Sequence, residues 1–332
     1  MAEVNMAQIE RVAKVLKNMP ESGHGMNFYS FPGKDGKEIV ADDMYPALNH
    51  PQAINFFFFT SLQNFGFWYG DDFGYVEPLY GTMSGKQTKG AELLFKACKN
   101  ALDKDETIFE PERLAKIRPT ELARIFSDDN GPIPFPDFEE RFRMTRAYGK
   151  YFVDYPKHMP HLASPEGLVD SANGSKLSLA SFLVLMSKVR GYDLDMLHKR
   201  QLLLAMELAN RPEKFLKVDD SKHWAPIVDY HLMRINLRLG TVVPNPHELY
   251  PLESRKWVSA EMESDVRRKT RDAVKKLMEL SGKSMSFIDE KLWMARRYCP
   301  EMEKPDCPNC VFSEVCEKKI EFFQPIFRTT AY

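Results

Sequence analysis

Long apolar runs are missing from this chain of 332 residues. The longest, Phe56-Phe57-Phe58-Phe59, falls far short of the roughly 20 residues needed to cross a bilayer as a helix, so no membrane partner is expected. The N-terminal stretch carries Glu3 and Glu10 and no apolar core, which is not the pattern of a secretory peptide. An excess of either charge is also missing. Lys and Arg total 46 against 47 Asp and Glu, a net charge of −1, so contact with nucleic acid has to come from a local patch rather than a global field. Cysteine is scarce, and four of the five cysteines fall close together near the C-terminus. That fits a reducing compartment, with a cytoplasmic location expected, and a metal site better than a disulfide framework. Internal repeats and low-complexity segments are absent.

What is present is an ordinary globular composition with 43% hydrophobic residues, enough for one large domain or two modest ones, and an abundance of Phe at 23 residues. Such aromatics serve either core packing or base stacking. Ile9, Val12, Leu16 and Met19 recur at helical spacing, and Pro20, Gly23 and Gly25 are expected to end that helix. Residues 51–68 read as buried and helical, and the turn-rich stretch 70–90 as a hairpin. Further helices are expected over 91–102, from Pro119 with Thr120 as the cap to before Asp128, and over 138–151, 178–189, 194–208, 230–239, 261–280 and 286–298. The polar stretch 164–178 reads as a connection. The expected fold is mainly α with a minor β element. Its expected parts are an N-terminal helical region (1–153), a helical region carrying Asp229 (179–298) and a cysteine loop with a tail (299–332), interleaved in one compact unit.

Cys299, Cys307, Cys310 and Cys316 are spaced Cys-x7-Cys-x2-Cys-x5-Cys, with Pro300, Pro305 and Pro308 stiffening the loop. Four thiolates on a short rigid loop can surround one compact metal centre, either a [4Fe-4S] cluster or tetrahedral zinc. With all four ligand positions filled by protein, the centre is structural rather than catalytic. Cys98 stands alone and reads as a small core residue.

The segment Val228-Asp229-Tyr230-His231-Leu232-Met233-Arg234-Ile235 places a carboxylate at the start of an amphipathic helix. A bare N-cap is the plain alternative. At that position the helix dipole and free N–H groups favour an ionised carboxylate. Such a group can stabilise an oxocarbenium-like sugar or guide water to its anomeric carbon.

The aspartate segment followed by the cysteine loop resembles the helix-hairpin-helix DNA glycosylase superfamily, and Cys307 to Glu317 resembles the iron–sulfur loop of endonuclease III-like glycosylases. The resemblance implies a helical glycosylase-like fold, Asp229 as the catalytic carboxylate and a [4Fe-4S] cofactor, with zinc as the alternative. The Leu-x-Gly-Val-Gly hairpin of that superfamily is absent; Phe215 to Asp220 stands in its place.

A second resemblance is to the queuosine-salvage family, whose members are queuosine 5′-phosphate N-glycosylases. It rests on Asn64-Phe65-Gly66-Phe67-Trp68, Arg124 to Pro134, Glu139 to Arg143, Lys199-Arg200, Asp229-Tyr230 and Phe327 to Tyr332. It implies hydrolysis of the N-glycosidic bond of a 7-deazaguanine nucleotide or nucleoside, with base release. Asp229 and Lys199 are then the catalytic candidates, and Phe65, Phe67, Trp68, Tyr230, His231 and Arg200 the substrate-binding ones. Stacking on a flat base is worth about 1–3 kcal/mol per base; core packing is the alternative for each aromatic. A second function stays open, excision or modification of a 7-deazaguanine base within DNA. The basic run containing Arg267, Arg268, Lys269 and Lys275 is the candidate phosphate-binding face for it, and a solvated helix surface is the alternative.

Overall fold

The computed structural model describes residues 1–20, 26–32, 37–154 and 159–332. Gly23 and Gly25, expected to end the first helix, lie outside them. The chain opens with β1 (Glu3–Val4) and α1 (Met6–Asn18), then β2 (Ser30–Pro32), β3 (Glu38–Val40) and α2 (Ala53–Leu62). Two hairpins follow, β4 (Trp68–Asp71) with β5 (Gly74–Pro78), and β6 (Tyr80–Met83) with β7 (Lys86–Lys89). Next come α3 (Gly90–Lys104), α4 (Pro111–Leu114), α5 (Pro119–Ile125), β8 (Ser127–Asp128), β9 (Gly131–Pro132) and α6 (Phe138–Asp154). Then follow α7 (Pro165–Asn173), α8 (Ser178–Met186), α9 (Lys199–Asn210), α10 (Tyr230–Leu239), β10 (Val242–Val243), α11 (Pro246–Ser254), α12 (Ala260–Ser281) and α13 (Met285–Ala295). The protein is mainly helical with small two-stranded sheets. Among the described residues, no helix is long and apolar enough to cross a membrane.

Two large hydrophobic cores organise these elements, beside a small cluster of Trp68, Phe323 and Ile326. One gathers buried side chains from Phe28 to Ile227. At its centre are the four phenylalanines of α2, all without solvent contact, with Phe59 stacked on Phe109 at a centroid distance of 4.6 Å. The other joins the start of the chain to its last third. The stripe Ile9, Val12, Ala13 and Leu16 of α1 packs against α12, and β1 pairs antiparallel with β10, Val4 opposite Val242. The second core therefore packs around α10, α12 and α13, with α1 closing it.

Local chemistry sets the helix ends. Asn5, Ser259 and Ser284 cap α1, α12 and α13 by accepting from backbone N–H groups. Gly240 (φ 81°) and Gly282 (φ 69°) end α10 and α12 in the left-handed region, where a Cβ would be strained. Three expectations need correction. Arg118, not Thr120, caps α5, because Pro119 takes the first helical position, where its missing N–H costs nothing. The stretch expected as a connection holds α7, whose Leu168, Val169 and Ala172 are buried and whose Ser164 accepts from Gly167 N at 3.1 Å. And α9 begins at Lys199 rather than at Leu194, since His198 sits at φ 58° and Asp195 accepts from Lys199 N at 2.7 Å.

Candidate active site

A cavity of about 860 Å³ opens between α9, the start of α10, α13 and the strap that follows α2. Its wall includes Asn64, Phe67, Lys199, Asp229, Asp289 and Glu301. The volume falls within the range of small-molecule sites.

The strap, residues 63–67, is held from below by buried cations. Arg141, fully buried, donates to Pro136 O (2.8 Å), Gln63 O (2.6 Å) and Phe65 O. Arg200 donates to Leu62 O at 2.7 Å and to Gly191 O. Lys199 Nζ donates to Asn64 O (3.0 Å) and to Asn64 Oδ1 (2.7 Å). Gly66 (φ 59°) lets the strap turn where a Cβ would press on Asp137 Oδ2 at 3.2 Å. Charged donors aimed at main-chain carbonyls fix this irregular backbone, which explains why cations lie inside a core. Burial pushes the Lys199 ammonium down to about 8, while the nearby Asp229 charge opposes the shift.

Asp229 is the N-cap of α10 and accepts from Leu232 N at 2.9 Å. Its backbone is set by a relay. Asp195 grips Arg267 through two contacts of 2.8 Å, and Arg267 Nε donates to Val228 O at 3.2 Å. Asp195 also anchors the start of α9, so Lys199 and Asp229 are positioned by one ion pair.

Tyr230 and His231 line the cavity beside Asp229, their rings 4.2 Å apart. Arg234 Nη2 lies 3.0 Å from His231 Nδ1, which assigns the ring proton to Nε2. His231 Nδ1 also lies 3.8 Å from Glu301, but burial and the cations Arg234 and Arg296 hold the imidazole well below its usual value. The imidazole is neutral, and this contact is not an ion pair.

Two further acids reach the cavity from other helices. Asp289 of α13 is buried, and its Oδ1 has no partner. Burial, and next the Asp229 charge, push its carboxyl well up. Glu207, two turns along α9 from Lys199, accepts from the Ser61 hydroxyl at 2.5 Å and leaves Oε1 without a partner. Burial raises its acid to about 8. Carboxyls held neutral by burial are the acid half of an acid–base site.

The expected site residues are thus divided. Asp229, Lys199, Tyr230, His231 and Phe67 share one cavity. Phe65 is fully buried beneath Arg141, 4.1 Å from its guanidinium, and does not line that cavity. Trp68 stacks on Tyr75 and under Arg328. Arg200 is committed to the carbonyls of Leu62, at the end of α2, and Gly191. Arg267 is buried in its pair with Asp195, which removes it from a phosphate-binding face; Arg268 and Lys275 are exposed, and Lys269 is half-buried. Asn64, Glu207, Asp289 and Glu301 were not expected. A signal existed for Glu207: it shares the helical register of Lys199 and Leu203 in an otherwise apolar segment.

Cys299, Cys307, Cys310 and Cys316 line a separate small cavity at the far end of α10. Arg238 Nη1 donates to Cys299 Sγ at 3.1 Å, and Lys318 N to Cys316 Sγ at 3.3 Å. Among the described residues, no three His, Cys, Asp or Glu side chains converge closely enough to hold a single metal ion.

A family model for the queuosine salvage protein matches residues 44–249, more than half of the chain. The chain belongs to the queuosine salvage protein family. No curated protein matches the sequence. Membership assigns the protein a role in queuosine salvage, with a modified nucleobase or nucleotide as the class of substrate. The matched span supplies the strap, Lys199, Glu207 and Asp229. Asp289 on α13 and the cysteine loop lie beyond it.

Proposed function

We propose that the protein hydrolyses the N-glycosidic bond of a 7-deazaguanine (queuosine-type) nucleotide or nucleoside and releases the base. The observation that carries this reading is Asp229 held at a helix N-terminus on the wall of a nucleotide-sized cavity, with Lys199 beside it and a neutral carboxyl nearby. A 7-deazaguanine has carbon in place of N7 and cannot be protonated there, so its departure needs a proton at another atom and a stabilised sugar cation. Asp289 supplies the proton to the leaving base as the bond from C1′ to the base nitrogen breaks. Asp229 stabilises the cation and accepts the proton of the water that adds to C1′. Lys199 keeps Asp229 from carrying an uncompensated charge. Phe67, Tyr230 and His231 give the flat base apolar surface.

The cysteine loop enters this reading as scaffold. Four thiols that line a cavity, with N–H donors aimed at two of the sulfurs, suit a [4Fe-4S] cluster better than a single zinc ion. Such a cluster would tie Cys299 to Cys316 and brace the end of α10.

The test is incubation with queuosine, its 5′-phosphate and 7-deazaguanine-containing DNA, followed by mass analysis of released base. Base release from a free nucleoside or nucleotide is expected. No release from either, with the base in DNA excised or altered instead, transfers the activity to DNA.

A further inference from the structure

We infer that Glu207 reads the donor edge of a guanine-type base, accepting from its N1–H and 2-amino groups. The inference rests on the reading that the cavity takes a 7-deazaguanine ligand.

The geometry is that of an incomplete hydrogen-bond set. Glu207 has no solvent contact and lines the cavity. Its Oε2 is used by Ser61, and its Oε1 is used by nothing. A buried acid with an empty acceptor is costly, and native structures retain one where a ligand completes it. Around it stand aromatic walls, Phe28, Tyr45 and Phe95, which suit a planar ring system. Lys199 and Glu207 lie on one face of α9, about 12 Å apart at 1.5 Å per residue. A purine-like nucleoside with its anomeric carbon at Asp229 and its base turned along α9 presents its donor edge towards Glu207, on the wall of the same cavity.

The chemistry narrows the ligand further. A carboxylate is an acceptor only, so it suits the adjacent N–H donors of 2-aminopyrimidinone rings and rejects an edge that lacks the amine. Burial otherwise leaves Glu207 protonated near neutrality; two N–H donors at its oxygens favour the charged form. Discrimination of this kind is large, because the wrong base leaves a buried acceptor unpaired.

Calorimetry with the full chain and two free bases tests this. 7-Deazaguanine is expected to bind about 10- to 100-fold tighter than 7-deazahypoxanthine, which lacks only the 2-amino group, as for a hydrogen bond to a charged group. Glu207→Gln is expected to bring the two within about threefold, while circular dichroism confirms an unchanged fold. The comparison of the two bases on the unaltered protein needs no variant. Equal binding of both bases, binding of neither, or discrimination that survives Glu207→Gln overturns the inference. So does a variant that weakens only 7-aminomethyl-7-deazaguanine, which would place Glu207 at the side-chain amine. Base release from queuosine 5′-phosphate is followed in parallel. Release with no Glu207-dependent discrimination sinks this inference and leaves the hydrolytic reading intact. Glu207-dependent discrimination without release from nucleoside or nucleotide does the reverse.

Discussion

At its N-terminal end, α10 delivers Asp229 to a cavity whose buried polar atoms are left short of partners, among them Asp289 Oδ1, Glu207 Oε1 and Arg296 Nε. At its C-terminal end, the same helix delivers Arg238 to the cysteine loop. There the guanidinium donates to Phe322 O (2.8 Å), Cys299 Sγ (3.1 Å) and Pro300 O (3.1 Å). One end is electrostatically unfinished; at the other, the donors of the guanidinium are met by the chain itself. Helix α10 thus ties an unfinished region to a braced one, and a change at either end should be read by a different measurement.

The largest effect is expected at the braced end. If the four thiols hold a cluster, purified protein is brown, and Cys310→Ser loses iron and melts at a distinctly lower temperature. Binding of a structural metal contributes on the order of 10 kcal/mol in small zinc domains. Colourless, metal-free protein with an unaltered melting point in the variant would break the contrast, leaving a loop held by packing alone.

Behind the N-terminal end stands Arg267, whose pair with Asp195 sets both Lys199 and Val228. Arg267→Ala is expected to cost about 3–5 kcal/mol of stability, because it leaves Asp195 buried and unpaired. Denaturant unfolding measures it. A loss below about 0.5 kcal/mol would return Arg267 to the surface-like behaviour that the basic run implies.

At the unfinished end, Asp229→Asn keeps the cap but removes the charge. Turnover should fall by about 10²–10³, or roughly 2.7–4 kcal/mol, with the melting point nearly unchanged. Chromatographic base release measures the rate, and full activity would exclude Asp229 from the mechanism.

The unfinished end should also show in the pH dependence of stability. Glu207 has its acid raised to about 8, so it is neutral when folded and ionised when unfolded across the interval between. Its contribution is complete below the unfolded value near 4.5 and is lost as pH rises towards 8. Glu207→Gln should therefore flatten the decline of the wild type between those limits. Lys199, lowered to about 8, acts in the separate window above it, where the folded state has released the proton that the unfolded state still holds, so its cost is relieved as pH rises. Parallel melting curves for wild type and variant across this range would remove the assignment.

The smallest effect belongs to the exposed face of α12. Arg268→Glu with Lys275→Glu should change stability by within about 0.5 kcal/mol and leave release from free nucleotide intact. A loss of salt-dependent DNA binding in that variant would revive the phosphate-contact reading of this helix.

Periodicity and caps carried much of this architecture. Helix α10 begins and ends where its Asp and Gly demand, and α12 runs within a residue of its apolar stripe. Asp229 was legible because an unusual residue order surrounds a cap position. The basic run misled because charge was read without register: Arg267 lies on the face of Glu263, Thr270 and Val274, and that face is buried. The α7 helix was missed because its apolar residues are few and its flanks are polar; packing against α2 and α8 completes it.

The sequence by itself determined that the chain is mainly helical, where α10 starts and that the queuosine salvage family is the relevant one. These are local or linear properties, set by spacing, capping and residue order. Only the tertiary structure decided which aromatics line the cavity and which fill the core, that Phe67 faces the cavity while Phe65 supports an arginine, and that Glu207 and Asp289 from separate helices join Asp229 in one cavity. Burial and proximity between residues distant in the chain set those outcomes. They change the charge a carboxyl carries as well as its position, and a linear pattern encodes neither.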